Sequence, residues 1–208
     1  MKIHIIIFCF LLLNRSLSFG QKSKNYLVSY ADTSSGIKLI GYLAVNGDTA
    51  IKAKYQFSYT DTFYRMAIVL DSNNAWVGID RNERTILRPF IFDNGPDYVE
   101  EGLFRIVQNN KIGFANLAGL IILKPQFDFA TPFIHGLAEY YLGGKRKNER
   151  EDEYFHWVGS FENGFINRSG QRFKRIGEFK HNRRQAWTKE SRRVLINNRG
   201  QIIYTFKK

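Results

Sequence analysis

The stretch that decides the fold runs from Lys111 to Glu139 and reads KIGFANLAGLIILKPQFDFATPFIHGLAE. It begins with an apolar segment around Gly113, passes through the four residues 116–119, and returns in a second apolar segment. Asn116 at the first and Gly119 at the fourth turn position are typical of a type I turn. The Asn side chain forms a hydrogen bond with its own backbone, and Gly tolerates the left-handed conformation that follows the turn. The stretch therefore predicts a β-hairpin.

Weaker copies of this hairpin occupy most of the remaining chain. Their turns are predicted to start at Asn46, Asp80, Asn116, Asn167 and Asn197, with spacings of 34, 36, 51 and 30 residues. Self-similarity at such a period is typical of stacked units that bury a continuous core only together. The one long spacing indicates an insertion at about residues 143–155, which we expect to form a loop.

Composition favours strands over helices. The chain contains 18 Phe and 11 Tyr but 4 Pro, and aromatic side chains suit pleated sheet surfaces. We predict an all-β fold in which tandem antiparallel β-hairpins stack into an extended, twisted, sheet-like array. The predicted repeats cover about residues 36–70, 71–107, 108–142 and 156–188, and a half-repeat at 189–208 would cap the last open sheet edge.

The motifs of these units resemble the WG-repeat family, also called KWG repeats. The best-preserved motifs lie in the third unit, as Lys124-Pro125-Gln126-Phe127-Asp128 and Phe133-Ile134-His135-Gly136-Leu137-Ala138. The Trp-Gly motif is less well preserved, as Trp76-Val77-Gly78 and as Ile112-Gly113. The resemblance implies a β-rich repeat or binding module and brings no catalytic residue with it.

The first twenty residues are predicted to be a signal peptide. Lys2 provides a positive start, residues 3–13 an apolar run too short to span a bilayer, and residues 18–20 a small-x-small cleavage site. A buried strand is the alternative for this run. We expect an exported, bacterial-type protein, periplasmic or extracellular, whose residues 21–208 form one repeat domain without a transmembrane segment. Cys9 lies in the apolar run, so the exported part would have no disulfide, thiol nucleophile or Cys-type zinc site.

Charge is concentrated in the last third of the chain. Residues 21–144 contain twelve Lys or Arg and twelve Asp or Glu, whereas residues 145–208 contain seventeen and seven. If residues 172–175 form a strand, Arg172 and Lys174 project from one face and Phe173 from the other. The candidate binding residues are Arg172, Lys174, Arg175, Arg183, Arg184, Trp187, Arg192 and Arg193.

Such a basic face would engage the phosphates, sulfates or carboxylates of an anionic polymer or an acidic protein. A solvated charged face is the simpler interpretation of the same residues. The acidic run at residues 149–153 could hold a hard cation through its carboxylates, but the spacing of a calcium loop is absent, so a solvated loop is the better interpretation. Since His135, His156 and His181 lack metal-ligand spacing, we expect neither a metal nor a cofactor.

These patterns favour a non-enzymatic, exported binding or scaffold module. One alternative is a hydrolase acting on envelope glycan, with paired carboxylates among Asp97, Glu100 and Glu101 or in the insertion. Another is a purely structural protein–protein interaction module, in which the charge serves solubility. A pocket with converging polar groups would favour the enzyme, and a contiguous basic face would favour the polyanion-binding module.

Overall fold

The structure, a computed structural model, describes residues 25–148 and 155–207. Within these residues it contains strands and turns but no helix. The sheets are antiparallel and separate, which confirms the predicted all-β fold built from repeated hairpins. The predicted signal peptide (1–20) and the acidic run (149–153) lie outside the described residues.

The first half of the described chain forms ten strands. They are β1 (Leu27–Asp32), β2 (Leu39–Ala44), β3 (Thr49–Tyr55), β4 (Phe57–Ser58), β5 (Thr62–Phe63), β6 (Ala67–Leu70), β7 (Trp76–Ile79), β8 (Thr85–Leu87), β9 (Ile91–Phe92) and β10 (Gly95–Pro96). They form sheets in the orders β3-β2-β1-β5, β4-β6-β7-β8 and β10-β9.

The second half contributes ten more strands. They are β11 (Leu103–Gln108), β12 (Lys111–Asn116), β13 (Ile121–Phe127), β14 (Phe129–Ala130), β15 (Leu137–Asn148), β16 (Phe155–Asn167), β17 (Arg172–Ile176), β18 (Arg183–Thr188), β19 (Arg193–Asn197) and β20 (Ile202–Thr205). One sheet consists of β11 to β13, and the other contains β14 to β20 in chain order.

The recurring unit is a three-stranded antiparallel meander. The five units are β1–β3, β6–β8, β11–β13, β15–β17 and β18–β20. The segment that follows the third strand of a unit pairs with the first strand of the next unit. Examples are the pairs β4–β6 and β14–β15. The units are offset from the sequence repeats, because the motif Leu137-Ala138 that closes a repeat in the sequence opens β15.

Four apolar clusters fill the spaces between successive units. Strand β6 contributes Ala67 and Val69 to the cluster shared with the first unit and contributes Ile68 to the cluster shared with the third. Neighbouring residues of one strand therefore serve two cores, as expected for alternating side chains. Among the described residues, the first and last units have a neighbouring unit on one side only.

The turn predicted at Asn116 is confirmed. The N–H of Gly119 donates to the carbonyl of Asn116 at 2.9 Å, and Asn116 Oδ1 accepts the N–H of Ala118 at 3.0 Å. Gly119 has a φ of 78°, in the left-handed region that favours glycine. The same hydrogen bonds recur at the turns that start at Asp80, Asn167 and Asn197.

The first turn differs from its prediction. Gly47 donates its N–H to the carbonyl of Ala44, so Asn46 is the third residue of this turn and not the first. Thirty-six residues then separate Ala44 from Asp80 and Asp80 from Asn116, which makes the period more regular than the sequence indicated. The sequence Asn-Gly is compatible with the first two or the last two positions of a tight turn, since both residues tolerate positive φ.

The insertion at residues 143–155 also differs from the expected loop. Strands β15 and β16 continue into it as a long hairpin, with paired residues up to Asn148 and Phe155. The extra length of the fourth unit therefore extends two strands beyond the positions where the other units turn.

Candidate anion-binding surface

One face of the last unit is not covered by another unit of the described chain. On β18 and β19 the buried Ala186 and Val194 are paired and face the core. Because side chains alternate along a strand, Trp187 and its partner Arg193 lie on the opposite face. On β17, Arg175 pairs with Trp187 and shares that face. We call the face that carries Arg175, Arg183, Trp187, Arg193, Tyr204 and Phe206 the outer face.

Arginines and aromatic rings alternate across the outer face. The guanidinium carbon of Arg175 lies 3.8 Å from the ring centre of Trp187, and that of Arg193 lies 4.1 Å from the ring centre of Phe206. Tyr204 packs edge-on against Phe206, with 5.0 Å between ring centres. A stacked guanidinium keeps its in-plane N–H donors available, so these contacts orient the arginines without consuming their hydrogen bonds.

The arginines of the outer face are not neutralised within the described part of the chain. The side chains of Arg175, Arg183 and Arg193 are exposed and make no hydrogen bond or ion pair with any other described residue. Three unpaired cations on three neighbouring strands create a positive potential that attracts anions. The outer face thus brings together four of the eight predicted residues: Arg175, Arg183, Trp187 and Arg193.

The other four predicted residues lie elsewhere. Arg172 faces the third unit, where it donates to the side chain of Gln126 at 2.8 Å. Lys174 occupies the bulge between Phe173 and Arg175 and donates to Ser191 at 3.2 Å. Arg192 lies 3.8 Å from the carboxylate of Glu190. Each of these three cations therefore has a hydrogen-bond or ion-pair partner among the described residues, whereas the arginines of the outer face have none there.

Arg184 points toward the core side of β18. Its Nε is buried and makes no hydrogen bond with a described residue, and burial lowers the pKa of the guanidinium. The guanidinium carbon lies 4.6 Å from the ring centre of Phe179, which itself stacks on His135 at 4.1 Å. These contacts make Arg184 part of the packing between the fourth and fifth units.

A second basic cluster, formed by Arg172 and Lys189, is partly neutralised by Glu162. The Glu162 carboxylate accepts from Lys189 at 2.6 Å and lies 3.7 Å from Arg172. The hydrogen bond from Lys189 lowers the pKa of Glu162, and burial raises the pKa of Tyr140, which also donates to Glu162, to about 12. This arrangement is a local ion-pair network in which one carboxylate offsets one of two positive charges.

Two of the carboxylates considered for glycan cleavage, Asp97 and Glu101, are engaged in structural contacts. Asp97 is 1% exposed and Arg105 is 4% exposed, and the Asp97 carboxylate accepts both Nε and Nη2 of Arg105, at 2.8 and 2.6 Å. Arg105 also donates to the carbonyl of Ala130 at 3.0 Å. Glu101 accepts the N–H of Gly136 and forms an ion pair with Arg168. The pair Asp97–Arg105 fixes the β9–β10 hairpin against β11 and β14.

Residues 25–148 and 155–207 contain no group of three or more His, Cys, Asp and Glu side chains placed to hold a metal ion. None of the described residues belongs to a helix with the length and apolar character needed to cross a bilayer.

Sequence reasoning missed Tyr204 and did not single out Phe206 as part of the site. Both follow β19 at alternate positions, Tyr204 pairs with Leu195, and the N–H of Phe206 donates to the carbonyl of Arg193. The signal available in the sequence was the alternation of Tyr204 in β20 and Phe206 just after it. It became informative only once the register of β19 and β20 was known.

Residues 112–145 match the family model described as a WG containing repeat. The matched segment contains most of β12, all of β13 and β14, and the beginning of β15. No curated protein matches the chain. The match is consistent with a repeat module for binding or scaffolding. The repeat at residues 112–145 therefore belongs to the WG-containing repeat family.

Proposed function

We propose that this protein is a non-enzymatic repeat module that binds an anionic polymer through the outer face. The observation that carries the proposal is the set of three exposed arginines, Arg175, Arg183 and Arg193, on adjacent strands with no carboxylate partner among the described residues. Arg175 and Arg193 lie two strands apart, which places their backbones roughly 10 Å from each other. That spacing suits a chain of repeated negative charges better than one small anion.

The stacked aromatic rings support this function in a second way. Holding Arg175 over Trp187 and Arg193 over Phe206 restricts both side chains before a ligand arrives. Each rotamer-rich side chain that is ordered on binding costs about 0.5–1.5 kcal/mol, so pre-ordered arginines lose less affinity. The planar fork of each guanidinium then matches phosphate, sulfate or carboxylate oxygens.

A salt titration of the purified protein against heparin, single-stranded DNA and duplex DNA tests the proposal. Affinity should fall linearly with the logarithm of salt concentration, because each phosphate contact releases counterions. The triple variant Arg175→Gln, Arg183→Gln, Arg193→Gln should bind weakly and should reduce the slope for DNA by about two to three. The matched control removes the same charge from exposed lysines away from the outer face: Lys38→Gln, Lys52→Gln and Lys124→Gln.

The two variants separate a surface effect from a net-charge effect. If the control weakens binding as much as the arginine variant does, total charge and not the outer face determines affinity. If the unmodified protein binds none of the three polymers at low salt, the proposal is wrong. Unchanged melting temperatures for both variants would show that binding and not folding was altered.

We also propose that the protein acts outside the cytoplasm, in the periplasm or beyond the cell. The basic start, apolar run and small-x-small site of residues 1–20 support export. Cell fractionation followed by N-terminal sequencing tests this proposal, and a mature protein that starts at Gln21 is the expected result. A full-length protein found in the cytoplasm would contradict it.

A further inference from the structure

A polar cavity of about 550 Å³ lies at the edge of the array, where turns of three units meet. The turn at residues 100–103 comes before the third unit, the turn at 167–170 belongs to the fourth, and the turn at 197–200 to the fifth. The cavity is lined by Glu101, Asn167, Arg168, Ser169, Arg199 and Gln201. Its volume falls within the ~300–1,000 Å³ that is usual for small-molecule sites.

The floor of this cavity is rigid. Asn167 is 2% exposed, accepts the N–H groups of Ser169 and Gln171 on Oδ1, and donates from Nδ2 to the carbonyl of Gly200 at 2.7 Å. The backbones of Gly136 and Arg199 approach so closely that a Cβ on Gly136 would lie 2.1 Å from the Arg199 carbonyl carbon. Glu101 accepts the N–H of Gly136 at 3.1 Å. The turns are therefore held in place before any ligand binds.

Hydrogen-bond donors are in excess in the cavity. The Glu101 carboxylate already accepts from Gly136 and Arg168, and Asn167 Oδ1 is used by its own turn. The Arg199 side chain makes no hydrogen bond or ion pair with any described residue, and the oxygen of the Gln201 amide accepts from Asn197, which leaves the amide NH₂ as a donor. Two guanidinium groups against one carboxylate give the cavity a positive formal charge.

We propose that this cavity is a binding site for a small molecule with a compact oxyanion, a phosphate or a carboxylate group, which Arg199 holds together with Arg168 and Gln201. The guanidinium of Arg199 supplies a forked pair of N–H donors that fits two oxygens of such a group. Arg168 is fixed by Glu101, which orients its remaining N–H groups. The Gln201 NH₂ can donate to a third oxygen.

This site is distinct from the polymer-binding outer face. Arg175 and Arg193 lie at the end of the last sheet where β18 turns into β19, whereas Arg199 lies in the turn between β19 and β20, at the other end of those strands. Arg183 pairs with Asn197 and therefore lies near the Arg199 end, but it belongs to the outer face. Small-anion binding at the cavity would therefore persist when Arg193 is replaced. The two functions can fail independently.

Isothermal titration calorimetry of the full chain with inorganic phosphate and with succinate tests the site. At least one of these probes should bind at millimolar concentrations, and the comparison distinguishes a phosphate site from a carboxylate site. Arg199→Gln should lower the affinity by about tenfold or more, because charged hydrogen bonds are lost. Its melting temperature without ligand should not change, since the Arg199 side chain makes no hydrogen bond or ion pair with a described residue.

Arg193→Gln is the matched control, an arginine-to-glutamine change on the same strand pair. It should keep the affinity for the small anion, and Arg199→Lys should bind with an affinity between those of the unmodified protein and Arg199→Gln. The proposal is overturned if neither probe binds, if Arg199→Gln binds as tightly as the unmodified protein, or if Arg193→Gln is equally impaired. Loss of polymer binding in Arg193→Gln with retained phosphate or succinate binding would support the cavity and leave the outer face as a separate site.

Discussion

Replacement of Gly113 by alanine tests the packing of the repeat most directly. Gly113 lies in β12, where the register with β13 shifts between the pairs Ile112–Phe127 and Phe114–Leu123. The bulge brings the β13 backbone so close that an alanine Cβ would lie 2.5 Å from the oxygen of Leu123 and from the nitrogen of Pro125. Glycine is required here by the approach of a neighbouring strand, and not by a positive φ.

The size of the effect follows from what must move. Strand β13 has to retreat by at least 0.5 Å before these contacts reach 3.0 Å, and it carries the buried Leu123 and Phe127 with it. Overpacking of the folded state lowers stability by ~1–3 kcal/mol. Alanine also reduces the conformational entropy of the unfolded chain, which raises stability by ~0.4–1 kcal/mol. Because backbone atoms collide, we expect a net loss of ~2 kcal/mol, or roughly 4–8 °C in Tm for a domain of this size.

Thermal unfolding followed by circular dichroism is the appropriate measurement, and Gly177→Ala is the matched control. A Cβ on Gly177 would meet its nearest neighbour, the Gln185 oxygen, at 3.6 Å, which is an ordinary contact. This control should melt at the same temperature as the unmodified protein or slightly higher. Equal Tm values for Gly113→Ala and the unmodified protein would refute the close-approach argument, and so would an equally large loss in Gly177→Ala.

Substitutions at three further positions test other contacts. Asp97→Ala should cost ~3–5 kcal/mol in urea unfolding, because it leaves the buried Arg105 guanidinium without its carboxylate; a loss below ~1 kcal/mol would contradict the importance of that pair. Asn167→Ala should cost ~2 kcal/mol by removing the turn acceptor and the bond to Gly200, whereas Asn167→Asp, which keeps the acceptor, should cost less; equal losses would show that the Oδ1 acceptor contributes nothing. The hydrogen bond from Lys111 lowers the pKa of Asp128, so the ionised carboxylate stabilises the fold above its unfolded pKa of about 3.9 and that stability is lost as pH falls through the folded pKa. Asp128→Asn should therefore lose less Tm than the unmodified protein between about pH 5 and pH 2, and parallel curves would contradict this.

Local features of the sequence were sufficient to predict the repeat. An Asx turn depends on one side chain and its own backbone, so Asp80, Asn116, Asn167 and Asn197 could be identified without tertiary information. Asn46 was misplaced because Asn-Gly is compatible with two positions in the turn. The long hairpin of the fourth unit was missed because charged residues at 145–148 fit an exposed strand as well as a loop.

The candidate surface could be predicted only in part. Alternation correctly placed Phe173 in the core, since Phe173 is buried. The bulge at Lys174 then shifts the alternation of side chains by one residue. As a result, Arg175 pairs with Trp187 on the outer face, and Lys174 donates to Ser191. A bulge depends on the pairing of two strands, and the contact of Arg172 with Gln126 depends on the stacking of two units, so neither can be read from one strand's sequence.

The basic outer face also disfavours the stacking of a further sheet against it. In the third unit, the face toward the next unit carries apolar side chains such as Ile112 and Phe114. On the last unit the uncovered face carries Arg175, Arg183 and Arg193, and a further sheet stacked there would bury three cations without counter-charges. The free energy needed to bury an unpaired charge is far larger than the free energy gained by burying the apolar surface of the same face. The arginines therefore disfavour an apolar partner on this face, whereas an anionic chain would bring its own counter-charges and cover the face without this cost.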